Sequence, residues 1–242
     1  METDDTESKR LAAEEKRKRW EEATRPRMTE IVPGLFLGNI GSSWSRDLLQ
    51  GNRTNAIVSL TTARWVWWNE AGSTRRAGVS KERHKWVQCA DSSTQDLLVY
   101  MSDICDFIDE VAAPSLQSSS ALPTEAENLL DNQPRDEPQH GILVHCDQAR
   151  SRSPTIIIAY LMRKYGAKRE DALSFVLSKQ KVRPSANFTR QLEVWEQVQY
   201  QLWEISERTI PKPQYQAFLD DRAAPLREKG LTWNEPLVPL TL

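Results

Sequence analysis

The stretch that most constrains the fold is GILVHCDQARSRSPTIIIAYLMRKYG, from Gly141 to Gly166. Ile142, Leu143 and Val144 form a continuous apolar run, the pattern of a strand covered on both faces in a parallel sheet. A polar loop follows, opening on Cys146 and closing on Arg152, and then an apolar helix beginning near Ser153-Pro154. Pro154 suits the first helical position, where its missing N–H would have no partner anyway. This order puts the loop at the carboxyl end of a sheet strand, where open α/β sheets gather their ligands.

The chemistry of the loop follows from its parts. A free thiol, with a pKa of about 8.5, is mostly protonated at neutral pH, but beside a cation and at a helix N-terminus the thiolate is favoured. Cys146 has Arg152 as the cation and the helix dipole behind it. The intervening residues, Asp147, Gln148, Ala149, Arg150 and Ser151, are enough to curl the backbone into a cup of inward N–H groups. Such a nest favours phosphate or sulfate, and a guanidinium grips two oxygens of that anion at once. A nucleophile beneath a phosphate is therefore expected, the alternative being a buried structural cysteine.

His145-Cys146, five residues, then Arg152-Ser153 resembles the signature loop of the cysteine-dependent phosphatases. The form HCDQARSRSPT is most similar to the dual-specificity protein phosphatases of the protein tyrosine phosphatase superfamily. The resemblance covers roughly residues 28 to 203. Glu30 to Asn39 (EIVPGLFLGN) is similar to the family's opening element, and Val182 to Leu192 (VRPSANFTRQL) to an element whose asparagine buttresses the phosphate loop. It implies an α/β fold, a mostly parallel five-stranded sheet flanked by helices, with a shallow catalytic cleft.

The resemblance also implies roles. Cys146 is the nucleophile, and residues 147–152 (Asp147, Gln148, Ala149, Arg150, Ser151, Arg152) bind phosphate. Ser153 donates to the sulfur, His145 fixes the Cys146 backbone and helps set its acidity, and Asn187 braces the loop. Displacing an alkoxide or phenoxide from phosphorus needs a proton on the leaving oxygen. Asp91 lies in the loop after the strand His84–Cys89, on the same rim as Cys146, and is the expected general acid. A turn or helix-cap role would also explain Asp91, and capping the last helix would also explain Asn187. One departure stands out: the family's mid-loop glycine is Ala149 here, and a Cβ at positive φ costs on the order of 1 kcal/mol.

The expected activity is hydrolysis of phosphotyrosine and phosphoserine/threonine through a phosphocysteine, with no metal or organic cofactor. The alternatives are an impaired phosphatase-like module that binds phosphorylated partners, or a phosphatase of lipid or small-molecule esters. The loop contains Asp147 and Arg150 and no lysine, which puts phosphorylated protein substrates ahead of phosphoinositides.

The rest of the 242 residues divides into a charged arm (1–27), the catalytic domain (28–204) with an insertion at about 113–140, and a tail (205–242). The arm is expected to be solvated and partly helical, with order beginning near Met28. Ser43 to Gln50 predicts a helix closed by Gly51, Ala56–Leu60 a buried strand, and Asp96 to Ala112 a helix with Leu97, Met101, Ile104, Ile108 and Val111 on one face. Helices are also expected over Arg169–Gln180 and from Asn187 to about Trp203. The tail shows no sustained period and either wraps the domain through Tyr215, Phe218 and Trp233 or stays mobile. Trp65, Trp67 and Trp68 cannot all face one core from a strand, so they pack a long loop or mark a contact surface.

A net charge of -2 gives no reason to expect nucleic-acid binding. Cys89, Cys105 and Cys146, without a C-x-x-C pair, argue against zinc and disulfides and for a reducing compartment. The longest apolar run, Ile156 to Met162, is far short of the ~20 residues that span a bilayer, and METDDTESKR has no secretory character. These features predict a soluble monomer, cytoplasmic or nuclear, with no membrane insertion.

Overall fold

The computed structural model describes residues 2–62, 78–112, 116, 121–123, 140–205, 207–228 and 230–231. The Trp65–Trp68 cluster, most of the 113–140 stretch and Trp233 lie outside the described residues. In chain order the elements are α1 (Glu2–Thr24), β1 (Met28–Val32), β2 (Leu35–Gly38), α2 (Ile40–Trp44), α3 (Arg46–Gly51) and β3 (Thr54–Thr61). They continue with β4 (His84–Gln88), α4 (Leu98–Val111), β5 (Gly141–His145), α5 (Arg152–Tyr165), α6 (Arg169–Lys179), α7 (Ala186–Gln197) and α8 (Pro213–Glu228).

The five strands form one sheet in the order β1-β2-β5-β3-β4. β1 and β2 pair antiparallel around Pro33-Gly34, while β2–β5, β5–β3 and β3–β4 are parallel. Side chains alternate faces along each strand. Phe36, Leu143 and Ile57 stand in register across β2, β5 and β3. With Leu49 and Val79 they make a small core on the face that α2 and α3 cover. The alternate residues Leu35, Leu37, Ile142, Val144, Ala56, Val58 and Leu60 point into the larger core with α4 to α7. The chain therefore has the expected mostly parallel five-stranded sheet with helices on both sides.

α5 is the central helix, and every residue from Arg152 to Met162 is buried. It packs on the sheet and against α4, α6 and α7, and Trp195 of α7 donates Nε1–H to its Ala159 carbonyl at 3.2 Å. The helix stops at Gly166, whose φ of 62° is the left-handed cap conformation that an L side chain resists. It starts at Arg152 rather than Pro154, so the proline occupies the third position. That position also lies in the first turn, where N–H groups have no intrahelical acceptor, and the ring costs nothing there.

Other boundaries also differ from expectation. Ser43–Gln50 is interrupted at Ser45, whose hydroxyl accepts from Leu48 N, so two short helices replace one and Asn52 rather than Gly51 ends the second. The last domain helix begins at Ala186 and ends at Gln197, followed by Gln199 and Tyr200 at φ of 53° and 63°. The tail contains the helix α8, which buries Tyr215, Phe218, Leu219 and Leu226. That spacing is a helical stripe; Pro213 at its first position and Pro225 within it masked the period.

The arm is helical over α1, which has no apolar stripe. Ion pairs at helical spacing, such as Lys18–Glu14 at 3.0 Å and Arg10–Glu7 at 2.8 Å, run along its exposed surface. Its end is seated on the domain. A Cβ on Gly41 would lie 1.8 Å from the Thr24 carbonyl oxygen. Asn39 accepts from Arg27 N at 3.0 Å, donates to Arg25 O at 2.8 Å and caps α2 through Ser42 N. Gly41→Ala is expected to lower stability by roughly 1–3 kcal/mol through overpacking at this junction. Urea unfolding checks it, and an unchanged midpoint would contradict the close approach.

Candidate active site

β3, β4 and β5 are parallel, so their carboxyl ends share one rim. The Cys146 loop leaves β5 there, and the Asp91 loop leaves β4 beside it. Within the Cys146 loop the carbonyls are tied outward. Asp147 O accepts from Ile40 N at 3.2 Å, Ala149 O from the Gln180 amide at 3.1 Å, and Arg150 O from Arg183 N at 2.7 Å. Ser151 O accepts from both the amide and the hydroxyl of Thr155. In a planar trans peptide the C=O of one residue opposes the N–H of the next. Outward carbonyls at 147, 149, 150 and 151 therefore turn the N–H groups of Gln148, Arg150, Ser151 and Arg152 to the loop's interior, which makes an anion nest.

Arg152 closes the nest and is only 5% exposed. Its Nη1 donates to Leu60 O at 3.0 Å and Cys89 O at 3.1 Å, which anchors the guanidinium to the ends of β3 and β4. Nη2 donates to the Asp147 carboxylate at 2.6 Å, and Nε is buried with no hydrogen-bond partner. Burial works against this charge, but Cys146, Asp147 and Cys89 outweigh it and raise the Arg152 pKa. Ser153 donates its hydroxyl to the Cys146 sulfur at 3.1 Å. Burial pushes the Cys89 and Cys105 thiols up to about 12, so neither supplies a thiolate near neutral pH.

Asp91 is exposed and accepts from the Ser151 hydroxyl at 2.9 Å, which places its carboxylate at the lip of the nest. His145 is buried below it. Its Nε2 meets Ser59 Oγ at 2.6 Å, and the same oxygen meets His84 Nε2 at 2.8 Å. One hydroxyl carries one hydrogen, so Ser59 can donate to only one of the two imidazoles and must accept from the other. Burial, then His84, lowers the His145 pKa to about 3, so the ring is neutral at physiological pH. Its Nδ1 is buried, makes no hydrogen bond of good geometry and faces the Cys146 backbone.

Comparisons with known proteins point to one family. The family model described as dual specificity phosphatase, catalytic domain, matches residues 124–198, which include Cys146, Arg152 and Ser153. Dual specificity protein phosphatase 1 of Arabidopsis thaliana is 30% identical over 164 residues, covering 67% of this chain and 66% of that protein. The chain belongs to the dual-specificity phosphatase family. The tyrosine-protein phosphatase yvh1 of Schizosaccharomyces pombe is 34% identical over 125 residues, covering 51% of this chain and 31% of that protein. The chain thus spans about two thirds of the first relative's length and about a third of the second's. The Yvh1 phosphatase domain from Chaetomium thermophilum shares the fold, with a TM-score of 0.52 at 24% identity, covering 72% of this chain and 95% of that one.

Two site features depart from what the resemblance implied or bear on it. Ala149, where the family's glycine is expected, sits at φ 58° and is buried, so the loop holds an alanine in the left-handed region at a cost of about 1 kcal/mol. Its conformation is kept by the Gln180 bond to its carbonyl. Asn187 differs from the role the resemblance implied. Ser185, not Asn187, caps α7, and the Asn187 amide donates to Ser92 O at 3.0 Å and Gln95 O at 2.8 Å. It braces the Asp91 loop and not the Cys146 loop, because the start of α7 lies against the segment leading into α4. Gln191 works beside it, with its Oε1 accepting from Leu97 N at 2.7 Å and Leu98 N at 3.1 Å.

Gln180, Thr155, Ser59 and Gln191 were not singled out in the sequence, and only Gln191 carried a signal, its place in the RPSANFTRQL element. Among the described residues no group of three or more His, Cys, Asp or Glu is arranged to hold a metal ion. The Asp147 carboxylate occupies a donor of the guanidinium fork that a phosphate would use. Asp147→Asn is expected to tighten binding of inorganic phosphate about fivefold, the equivalent of ~1 kcal/mol, measured by calorimetry. Unchanged or weaker binding would contradict the competition.

Proposed function

We propose that the chain is a cysteine-dependent protein phosphatase that hydrolyses phosphotyrosine and phosphoserine/threonine through a phosphocysteine. The observation that carries this reading is the nest of inward N–H groups closed by Arg152, whose buried Nε has no partner until an anion enters. In the first step the Cys146 sulfur forms a bond to phosphorus as the ester P–O bond breaks. The nest and Arg152 hold the equatorial oxygens, and Asp91 gives its proton to the leaving oxygen. In the second step water attacks phosphorus, Asp91 takes its proton and the S–P bond breaks. The Ser153 hydroxyl, 3.1 Å from the sulfur, stabilises the departing thiolate. His145 holds the loop's entry through Ser59 and remains neutral throughout.

A protein substrate is supported by the cleft beside the loop. It has a volume of about 670 Å³ and is bordered by Gln148, Arg150, Gln180, Arg27 and Lys181, with no carboxylate among its lining residues. An extended segment bearing acidic groups fits that charge. Three free cysteines, all buried, accord with a reducing compartment such as the cytoplasm or nucleus.

The second reading, a module that binds phosphorylated partners without turnover, is favoured by the Asp147 carboxylate on the fork and by Ala149 at positive φ. Turnover separates the two. Under reducing conditions the protein is expected to release phosphate from an aryl phosphate. Cys146→Ser should abolish release, and Asp91→Asn should reduce kcat by roughly 10²–10⁴-fold, the usual weight of a general acid. Phosphopeptide binding without release from the wild-type protein would sink the enzyme reading.

A further inference from the structure

The tail helix α8 makes contacts that neither the fold nor the chemistry so far explains. It docks by burying Tyr215, Phe218, Leu219 and Leu226, and it is held from α7 by the Arg190–Asp221 ion pair and the Arg190 guanidinium over the Phe218 ring. Trp203 meets Tyr215 edge-on at 5.6 Å. From this seat two polar groups reach the Asp91 loop. Arg222 Nε donates to Thr94 O, and the Tyr215 hydroxyl donates to Asp96 Oδ2 at 3.0 Å. Thr94 and Asp96 are 2% and 7% exposed, so water cannot readily replace these partners.

The loop lies outside any strand or helix, so side chains from other elements fix it. Asp91 itself is exposed and meets the nest through the single Ser151 hydroxyl. Behind it, Gln95 Oε1 accepts from Ala90 N at 2.8 Å, and Asn187 and Gln191 of α7 hold the Gln95 carbonyl. α7 thus clamps the loop at Ser92 and Gln95, while α8 clamps it at Thr94 and Asp96. Removing either side-chain partner leaves a buried carbonyl or a buried carboxylate short of a hydrogen bond, a loss relieved by letting the loop move.

We propose that Tyr215 and Arg222 of α8 are positioning residues for the Asp91 loop, so that the C-terminal helix sets how often Asp91 stands ready to protonate the leaving oxygen. This rests on the phosphatase reading above, and the chemistry supplies a selective readout. Proton donation matters most when the leaving oxygen is basic, as in phenyl phosphate, and less when the leaving group is stabilised, as in 4-nitrophenyl phosphate. A helix that only supported the fold would affect both substrates alike.

The test uses the full chain with Arg222→Ala and with Tyr215→Phe, which keeps the buried ring and removes the hydroxyl. Each is expected to lower kcat/KM, which reports the first phosphoryl transfer and not the hydrolysis of the phosphocysteine common to both esters, about tenfold on phenyl phosphate and about twofold on 4-nitrophenyl phosphate. In an Asp91→Asn background neither change should lower kcat/KM further, because the group they position is gone. Amide exchange across residues 91–97 should quicken in both variants. Equal losses on the two substrates, full additivity with Asp91→Asn, or unchanged exchange would overturn the proposal. Wild-type protein without turnover on either ester would overturn the phosphatase reading and this one with it. Turnover that depends on Asp91 but ignores Arg222 and Tyr215 would overturn this one alone.

Discussion

The buried guanidinium of Arg152 is the constraint on which the site depends. Its Nη1 is fixed on the Leu60 and Cys89 carbonyls, at the ends of two adjacent parallel strands. A buried cation without such partners would be costly, and removing them would leave that cost uncompensated. The sheet order is therefore coupled to the chemistry: only a topology that sets the ends of β3 and β4 beside the loop after β5 gives Arg152 its acceptors. With Nη1 spent on the scaffold, Nε and Nη2 are left for the nest, and Asp147 occupies the latter. The cation is thus already oriented before an anion arrives, which is the condition for stabilising charge without reorganisation.

The loop's shape is imposed from outside. Its carbonyls bond to α2, α5, the end of α6 and the segment at Arg183, and each such bond turns the following N–H inward. That network explains how the loop holds Ala149 at φ 58°: several bonds to neighbouring elements determine the conformation, and the local cost of a Cβ is small beside them. Asp91 belongs to a different loop. Its loop is held by side chains from α7 and α8, and it meets the nest through the Ser151 hydroxyl and through the Arg152 bond to Cys89 O.

Much of this was legible in the sequence because it rests on pattern. The apolar run Ile142–Val144, the Cys146–Arg152 spacing and the period of Leu97, Met101, Ile104, Ile108 and Val111 each encode an element directly. Asn187 was misread because a side-chain amide bonded to the carbonyls of Ser92 and Gln95 leaves no trace in either segment. Ser59 was invisible for a related reason: its place between His84 and His145 follows from strand register across β4, β3 and β5. The tail helix did have a signal in Tyr215, Phe218, Leu219 and Leu226, and the surrounding prolines concealed it. The break at Ser45 was likewise a capping serine read as a helical residue.

The proposed mechanism transfers phosphorus to Cys146 in the nest. Its most direct test is acid quenching of the protein during turnover of an aryl phosphate, followed by mass spectrometry of the peptides. One phosphoryl group is expected on the peptide containing Cys146, lost in Cys146→Ser and accumulating in Ser153→Ala, where the thiolate leaves more slowly. Turnover with no phosphoryl group on Cys146 under any quench, or with the group on another residue, would contradict it.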